Sequence, residues 1–448
     1  MKKLVSLLIP FLALALSSCM NNSWETHADP ANHKYYISYK TVSSDDKEVS
    51  INYQFDYNLK DFDKPSTTFN KSIALLSFAK EMQAISTENM ESYYHELGFG
   101  DICYSNAFVE EVDKDSIGFA IAHYDAGDYH LISVATNGMT YKKPWANNFV
   151  LGLDGDAEGF VIAADQVIKD VKDYIKKYSN KPIKFWISGF SRTGAVADIV
   201  SYRLIDDKTF QEKNLFAYTF EAPQAVSSKN TKQYNSIFNI LNSGDFVTHI
   251  APSKYDLKRI GKDVDLANKN INKWLSAFDK SLALPEFTAD EAYSSESELV
   301  EYVLSELSSP DKVVSPYVGL DTREHYVLYH QEYLSYIIGL FFGLQTSTLY
   351  DLLDKLSNSG IGDLFGLLGE NGIYNFLKPV LDANDEPYDD AKLKASTNYA
   401  QELFANVSSV LTLVISMAFS EEFANSFVRC ALYHRPDVVL VSLYNYVG

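Results

Sequence analysis

The chain has 448 residues, 46% of them hydrophobic and 22% charged, which suits one large or two small globular domains. A formal net charge of −20 argues against a nucleic-acid partner and against an electrostatic grip on anionic lipid. Neither Cys-x-x-Cys nor His-Glu-x-x-His occurs, so no metal centre is indicated, and Cys103 and Cys430, the cysteines beyond Cys19, fit either a disulfide or two free thiols.

The first residues have the pattern of an export signal. Lys2 and Lys3 precede an apolar run from Leu4 to Leu16, and Leu16-Ser17-Ser18-Cys19 closes it. The run is too short for an ordinary spanning helix. An apolar residue, two small residues and Cys resemble a bacterial lipobox, which implies a lipid carried on Cys19 and a location in the bacterial cell envelope. Residues 20–33 are polar and read as a tether. Residues 34–40 and 48–58 predict a β-hairpin, because Val49, Ile51, Tyr53, Phe55 and Tyr57 alternate with polar residues and Ser43 to Asp46 supply the turn.

Residues 66–97 predict a helix. Ser116 to His123 and His130 to Thr136 predict two strands joined by a turn at Asp125 to Asp128. From 157 to 178, Phe160, Ala164, Val167, Val171 and Tyr174 recur at helical spacing until Asn180-Lys181-Pro182. Ile183 to Ser188 is an apolar strand, a Gly-containing turn follows, and Ala195, Val196, Ile199, Val200 and Leu204 open another helical pattern. Leu215 to Phe220 and Ile237 to Leu241 are further strands. Strands alternating with helices imply a mostly parallel sheet covered on both faces, with function at the carboxyl ends of its strands. Residues 265–425 are helix-rich, with apolar runs at 336–342 and 411–415 too short to cross a bilayer.

Gly189-Phe190-Ser191-Arg192-Thr193-Gly194 carries the chemistry. A strand, a tight turn with a central Ser and a helix present a nucleophilic hydroxyl, and the helix start offers free N–H groups to a developing oxyanion. A Ser hydroxyl needs a base, normally His, and the His needs a carboxylate to fix its tautomer. Asp245 follows a strand in the turn Asn242-Ser243-Gly244 and is the best placed acid. His434 lies before a late helix that starts at Pro436-Asp437, which suits a base, and His325 remains an alternative. His249 is too close to Asp245 along the chain. The oxyanion donors are expected to be the backbone N–H of Arg192 and that of Met139, in the loop Thr136-Asn137-Gly138-Met139-Thr140.

Taken together, Val134 to Gly138, Trp145 to Phe149, Ile187 to Ala195, Ala217 to Pro223, Asn239 to Val247 and the terminal His434-x-Pro436-Asp437 resemble the class 3 lipase family of α/β-hydrolases, especially its bacterial lipase-like relatives. The resemblance covers about residues 115–260 and the last twenty. It implies Ser191 as nucleophile, Asp245 as acid and His434 as base. It also implies ester hydrolysis through an acyl-enzyme, acyl lipids as substrates, and no cofactor. The chain departs from the family at the oxyanion loop, where Asn137-Gly138-Met139 replaces Arg-Gly-Thr, and at the elbow, where Thr193 replaces Gly and adds bulk.

The expected organisation is a signal peptide at 1–18, a tether at 19–33, an α/β-hydrolase core at 34–264, a helical cap insertion at 265–425, and a return to the core at 426–448 that carries the base. The expected function is a lipid-anchored carboxylic ester hydrolase. The alternative is a hydrolase-fold surface lipoprotein that binds a ligand or partner without turnover.

Overall fold

The computed structural model describes residues 23–447 apart from 43–46, 111–116, 138–142, 308–319, 321 and parts of 346–368 and 407–419. The predicted signal segment, Cys19, the 43–46 turn, Met139 and most of the 411–415 run lie outside the described residues.

The centre is a seven-stranded sheet. Its strands are β4 (Gly100–Tyr104), β5 (Phe119–Asp125), β6 (His130–Thr136), β7 (Ile183–Phe190), β8 (Leu215–Phe220), β9 (Ile237–Leu241) and β10 (Lys262–Asp265), in this order from one edge to the other. Strands β6 to β10 are parallel, while β4 and β5 join antiparallel at one edge. The sheet is thus the mostly parallel, helix-covered one that the alternation predicted. The pair at 119–136 is a hairpin because its turn is too short for a crossover.

Side chains leave β7 alternately to two cores. Phe185 and Ile187 join the buried residues of α1 (Glu158–Ile175) and α2 (Arg192–Asp206), among them Phe160, Val167, Val196 and Ile199. Trp186 and Phe190 face the opposite core, which holds α3 (Lys71–Gln83) and α4 (Pro436–Asn445). α3 is buried on nearly every side, from Ile73 to Gln83, as a helix that fills a core must be.

The single helix expected at 66–97 is two. α3 ends at Gln83, and a second helix, Thr87–Glu96, begins where the Ser86 side chain accepts from Asn89 N–H. A Ser at that position offers the backbone a cap in place of continued helix. The tether reading is also corrected. Ser23–Asp29 (β1) is a strand that pairs antiparallel with Lys34–Val42 (β2), which pairs with Glu48–Asp56 (β3), so the expected hairpin is a three-stranded sheet. Trp24 and Ala28 are buried, and Ala28 N–H donates to Glu96 at 2.8 Å.

Within 265–425 the longer described elements are helical, including Glu296–Leu307, Gln331–Gly343, Gly372–Ala383 and Asp390–Asn406. Glu421–Leu432 then leads through His434 into α4. No helix among the described residues is long and apolar enough to cross a membrane.

Candidate active site

Ser191 stands between β7 and α2 with φ 55° and ψ −124°. That left-handed backbone is strained for a non-glycine residue and lifts the hydroxyl off the sheet edge. Crowding around it decides its neighbours. A Cβ on Gly189 would lie 2.2 Å from the Thr193 carbonyl oxygen, and one on Gly194 would lie 2.9 Å from the Ala222 Cβ. Thr193, expected to crowd the turn, instead closes it: its Oγ1 accepts from Phe190 N–H and lies 3.1 Å from the Phe190 carbonyl.

Asp245 follows β9. Its N–H donates to the Asn242 carbonyl at 2.9 Å, and its Oδ1 accepts from Val247 N–H at 2.9 Å. His434 sits in the short link between two helices, where Pro436 at the first position of α4 needs no N–H partner. The structure brings the three side chains together. His434 Nε2 is 2.8 Å from Ser191 Oγ, and His434 Nδ1 is 2.6 Å from Asp245 Oδ2. A carboxylate only accepts, so Nδ1 carries the proton and Nε2 is left to accept from the Ser hydroxyl. Ser191 and His434 are 4% and 6% exposed and Asp245 is fully buried. Water therefore competes little for these hydrogen bonds.

The other histidines are placed elsewhere. His249 pairs with Glu301 at 2.6 Å and with the Ser243 carbonyl at 2.9 Å. His330 meets the Tyr399 hydroxyl. His325 packs against Tyr329 at a ring separation of 5.3 Å. Cys103 and Cys430 are free thiols, the first exposed and the second buried.

At the expected oxyanion position α2 begins with Arg192, whose N–H is among the first of that helix. The Arg192 side chain turns inward, donating to Asn148 Oδ1 at 2.8 Å and to the Gly159 carbonyl at 3.1 Å. It thereby ties the helix start to the segment 143–149.

Two features escaped the sequence reading. Glu81, on α3, accepts from Ser188 Oγ at 2.6 Å and from Thr136 Oγ1 at 2.9 Å. It thus bridges the nucleophile strand and the strand that leads into the Asn137 loop. Burial pushes its carboxyl up to about 7, with Lys80 pulling it back. Lys80 lies over the Trp186 ring at 3.7 Å and donates to Ser133 Oγ, and burial takes it well below the usual lysine range. Nothing in the helical pattern of α3 marks these two as bridges. Glu221, by contrast, follows β8 directly, so the strand-end rule that singled out Asp245 applied to it as well. It is fully buried, its carboxyl is bound by Asn242 of the turn that carries Asp245, and burial first and then Asp245 raise it well above the usual carboxyl range.

The pocket at Ser191 is small, about 20 Å³, roughly the room of one water. Phe149, Phe160, Val247 and Ile250 form its apolar wall and Asn148 and Gln224 its polar side. A larger cleft of about 1100 Å³ lies beside it, lined by Ala146, Asn147 and Val150 of the neighbouring segment and by Tyr333, Tyr336 and Leu340. Residues 146–151 contribute to both spaces.

Residues 129–255 match the family model described as lipase (class 3). The matched stretch holds Ser191 and Asp245 and stops short of His434. No curated protein matches the chain. Among solved structures the chain is similar to a Rhizomucor miehei lipase propeptide complex at 15% identity, covering 44% of this chain and 68% of that chain with a TM-score of 0.33. It is also similar to a lipase from Rhizopus microsporus var. chinensis (17% identity, 42% and 72% covered, TM-score 0.32). A third likeness is to a lipase from Yarrowia lipolytica (11% identity, 44% and 78% covered, TM-score 0.33).

Proposed function

We infer that this chain, whose residues 129–255 match the class 3 lipase family, is a carboxylic ester hydrolase that works through an acyl-enzyme on Ser191. The observation that carries the reading is the unbroken run of hydrogen bonds from Ser191 Oγ through His434 to Asp245. His434 Nε2 takes the hydroxyl proton as Oγ attacks the ester carbonyl carbon. The oxygen of the tetrahedral intermediate faces the Arg192 N–H and, in this proposal, the Met139 N–H. His434⁺ returns the proton to the leaving alcohol as the C–O bond breaks. Water then attacks the acyl-enzyme with His434 again as base, the carboxylic acid leaves, and Ser191 is restored. Asp245 remains a carboxylate throughout, holding the tautomer and balancing the imidazolium.

Acyl lipids are the proposed substrates. The apolar wall at Ser191 and the cleft beside it support this class, since an acyl chain needs apolar surface near the reacting carbon. The segment Leu16-Ser17-Ser18-Cys19 supports a lipid anchor on Cys19 and a place in the bacterial cell envelope.

A fluorophosphonate probe tests the mechanism. Wild-type protein is expected to be labelled and to hydrolyse p-nitrophenyl esters, and Ser191→Ala to do neither. Folded wild-type protein that resists the probe and turns over no ester rejects the acyl-enzyme reading and leaves ligand binding without turnover.

A further inference from the structure

Glu221 is a costly residue where it stands. Its φ is 46°, in the region where a side chain is strained and Gly is not. It is fully buried, and Asn242, whose carbonyl accepts from Asp245 N–H at 2.9 Å, binds its carboxyl and so holds it at the turn that carries Asp245. Strain of this kind persists where the surroundings over-determine it, and it gathers at functional sites.

The surroundings here are specific. Asn242 N–H lies 3.1 Å from each Glu221 oxygen, and Asn242 Nδ2 donates to Oε1 at 2.7 Å. The Glu221 N–H donates to the Ile240 carbonyl at 3.0 Å. Its head is therefore held by the turn that carries Asp245 and its backbone by β9. Asp245 in turn is held by Val247 N–H on Oδ1 and by His434 Nδ1 on Oδ2.

We propose that Glu221 is a positioning residue for the reaction: its carboxyl keeps a proton, donates it in a hydrogen bond to Asp245, and so aims the Asp245 carboxylate at His434 Nδ1. The proposal rests on the catalytic roles assigned above.

Two carboxyls in contact and away from water do not both ionise. Asp245 keeps the charge because it faces an imidazole N–H. Glu221 faces amide donors, which a neutral carboxyl oxygen also accepts. Burial first, then repulsion by Asp245 and the hydrogen bond to it, hold the Glu221 carboxyl well above the usual range, against the pull of Asn242. The Cys430 thiol also feels Asp245; it stays neutral, raised mainly by burial and then by Glu296. A neutral Glu221 adds a donor without adding charge. An ionised one would strengthen the hold of His434 on its proton and slow delivery to the leaving alcohol.

The test compares Glu221→Gln and Glu221→Ala with wild type on p-nitrophenyl butyrate, reading kcat, KM and the acid limb of the kcat–pH profile. Gln is neutral and still offers a donor to Asp245 and an acceptor to Asn242. It is expected to keep kcat within about threefold, with KM and the acid limb unchanged. Ala lacks the donor and is expected to lose kcat by about 10- to 100-fold at unchanged KM. An acid limb displaced downward by about one pH unit in Glu221→Gln means that Glu221 is ionised and overturns the proposal. So does wild-type kcat in Glu221→Ala. If the Ala variant does not fold, kcat and the acid limb of Glu221→Gln decide alone. Fluorophosphonate labelling of wild type separates the two levels: without labelling the mechanism itself fails, whereas labelling with an unaffected Glu221→Ala sinks this proposal alone.

Discussion

Two non-glycine residues at the carboxyl ends of adjacent strands hold left-handed backbone, Ser191 after β7 and Glu221 after β8. Both are buried and both touch the same hydrogen-bonded run. The strain is carried where side chains must leave the sheet edge in one direction. The raised Glu221 carboxyl also has a consequence for stability. Its folded value lies above the ordinary 4.5, so the folded state binds its proton more tightly than the unfolded chain does. That contribution is fully present below about pH 4.5 and is lost as pH rises towards the folded value. Glu221→Gln has no such proton to lose. Urea denaturation is therefore expected to show the variant gaining stability relative to wild type as pH rises above about 4.5. A difference that stays constant above that pH rejects the account.

Thr193 shows why a residue read in isolation misleads. Its bulk, set against the small residue usual at an elbow, predicts crowding. Its hydroxyl instead folds back on Phe190, giving the tight turn a side-chain hydrogen bond that Gly lacks.

At the scale of elements, the N-terminal strand is the clearest difference between pattern and fold. Ser-Trp-Glu-Thr-His-Ala-Asp alternates only weakly, with Trp24 and Ala28 as its buried positions. Pairing with Lys34–Val42 makes it a strand, because the partner supplies the hydrogen bonds and Tyr39 and Phe78 supply the surface for Trp24. Trp24→Ala is expected to cost about 3–5 kcal/mol, the usual price of emptying a core aromatic site. Chemical denaturation measures it, and a loss below about 1 kcal/mol returns residues 23–29 to the status of a tether. Strands β6 to β9 and the helix at 158–175 were legible from their apolar patterns, since each is mostly buried, whereas the short edge strand β10 was not, with only Val264 buried. Gly100–Tyr104 was not, because an edge strand buries too little to leave a pattern.

For the whole molecule, Ser191 is nearly sealed. A pocket of about 20 Å³ is too small for an ester, so on the proposed reading its lining shifts to admit substrate. Asn148, Phe149 and Leu151 line the pocket, and Ala146, Asn147 and Val150 line the cleft of about 1100 Å³ with Tyr333, Tyr336 and Leu340, so a shift of this segment is the proposed route between them. Turnover of p-nitrophenyl esters from two carbons to sixteen is accordingly expected to rise with chain length to a maximum at medium or long chains. A profile that falls from two carbons onward means that the cleft receives no acyl chain.

Local patterning alone determined that Ser191 stands between a strand and a helix and that Asp245 follows another strand, because side-chain periods and turn residues act over a few positions. It left the histidine open between 434 and 325. Only the tertiary structure decided that His434, 243 residues after Ser191, reaches its hydroxyl, and that Glu221 presses on Asp245. Those contacts follow from sheet order and from how the last helices pack on one face, and both depend on summed burial across the whole chain.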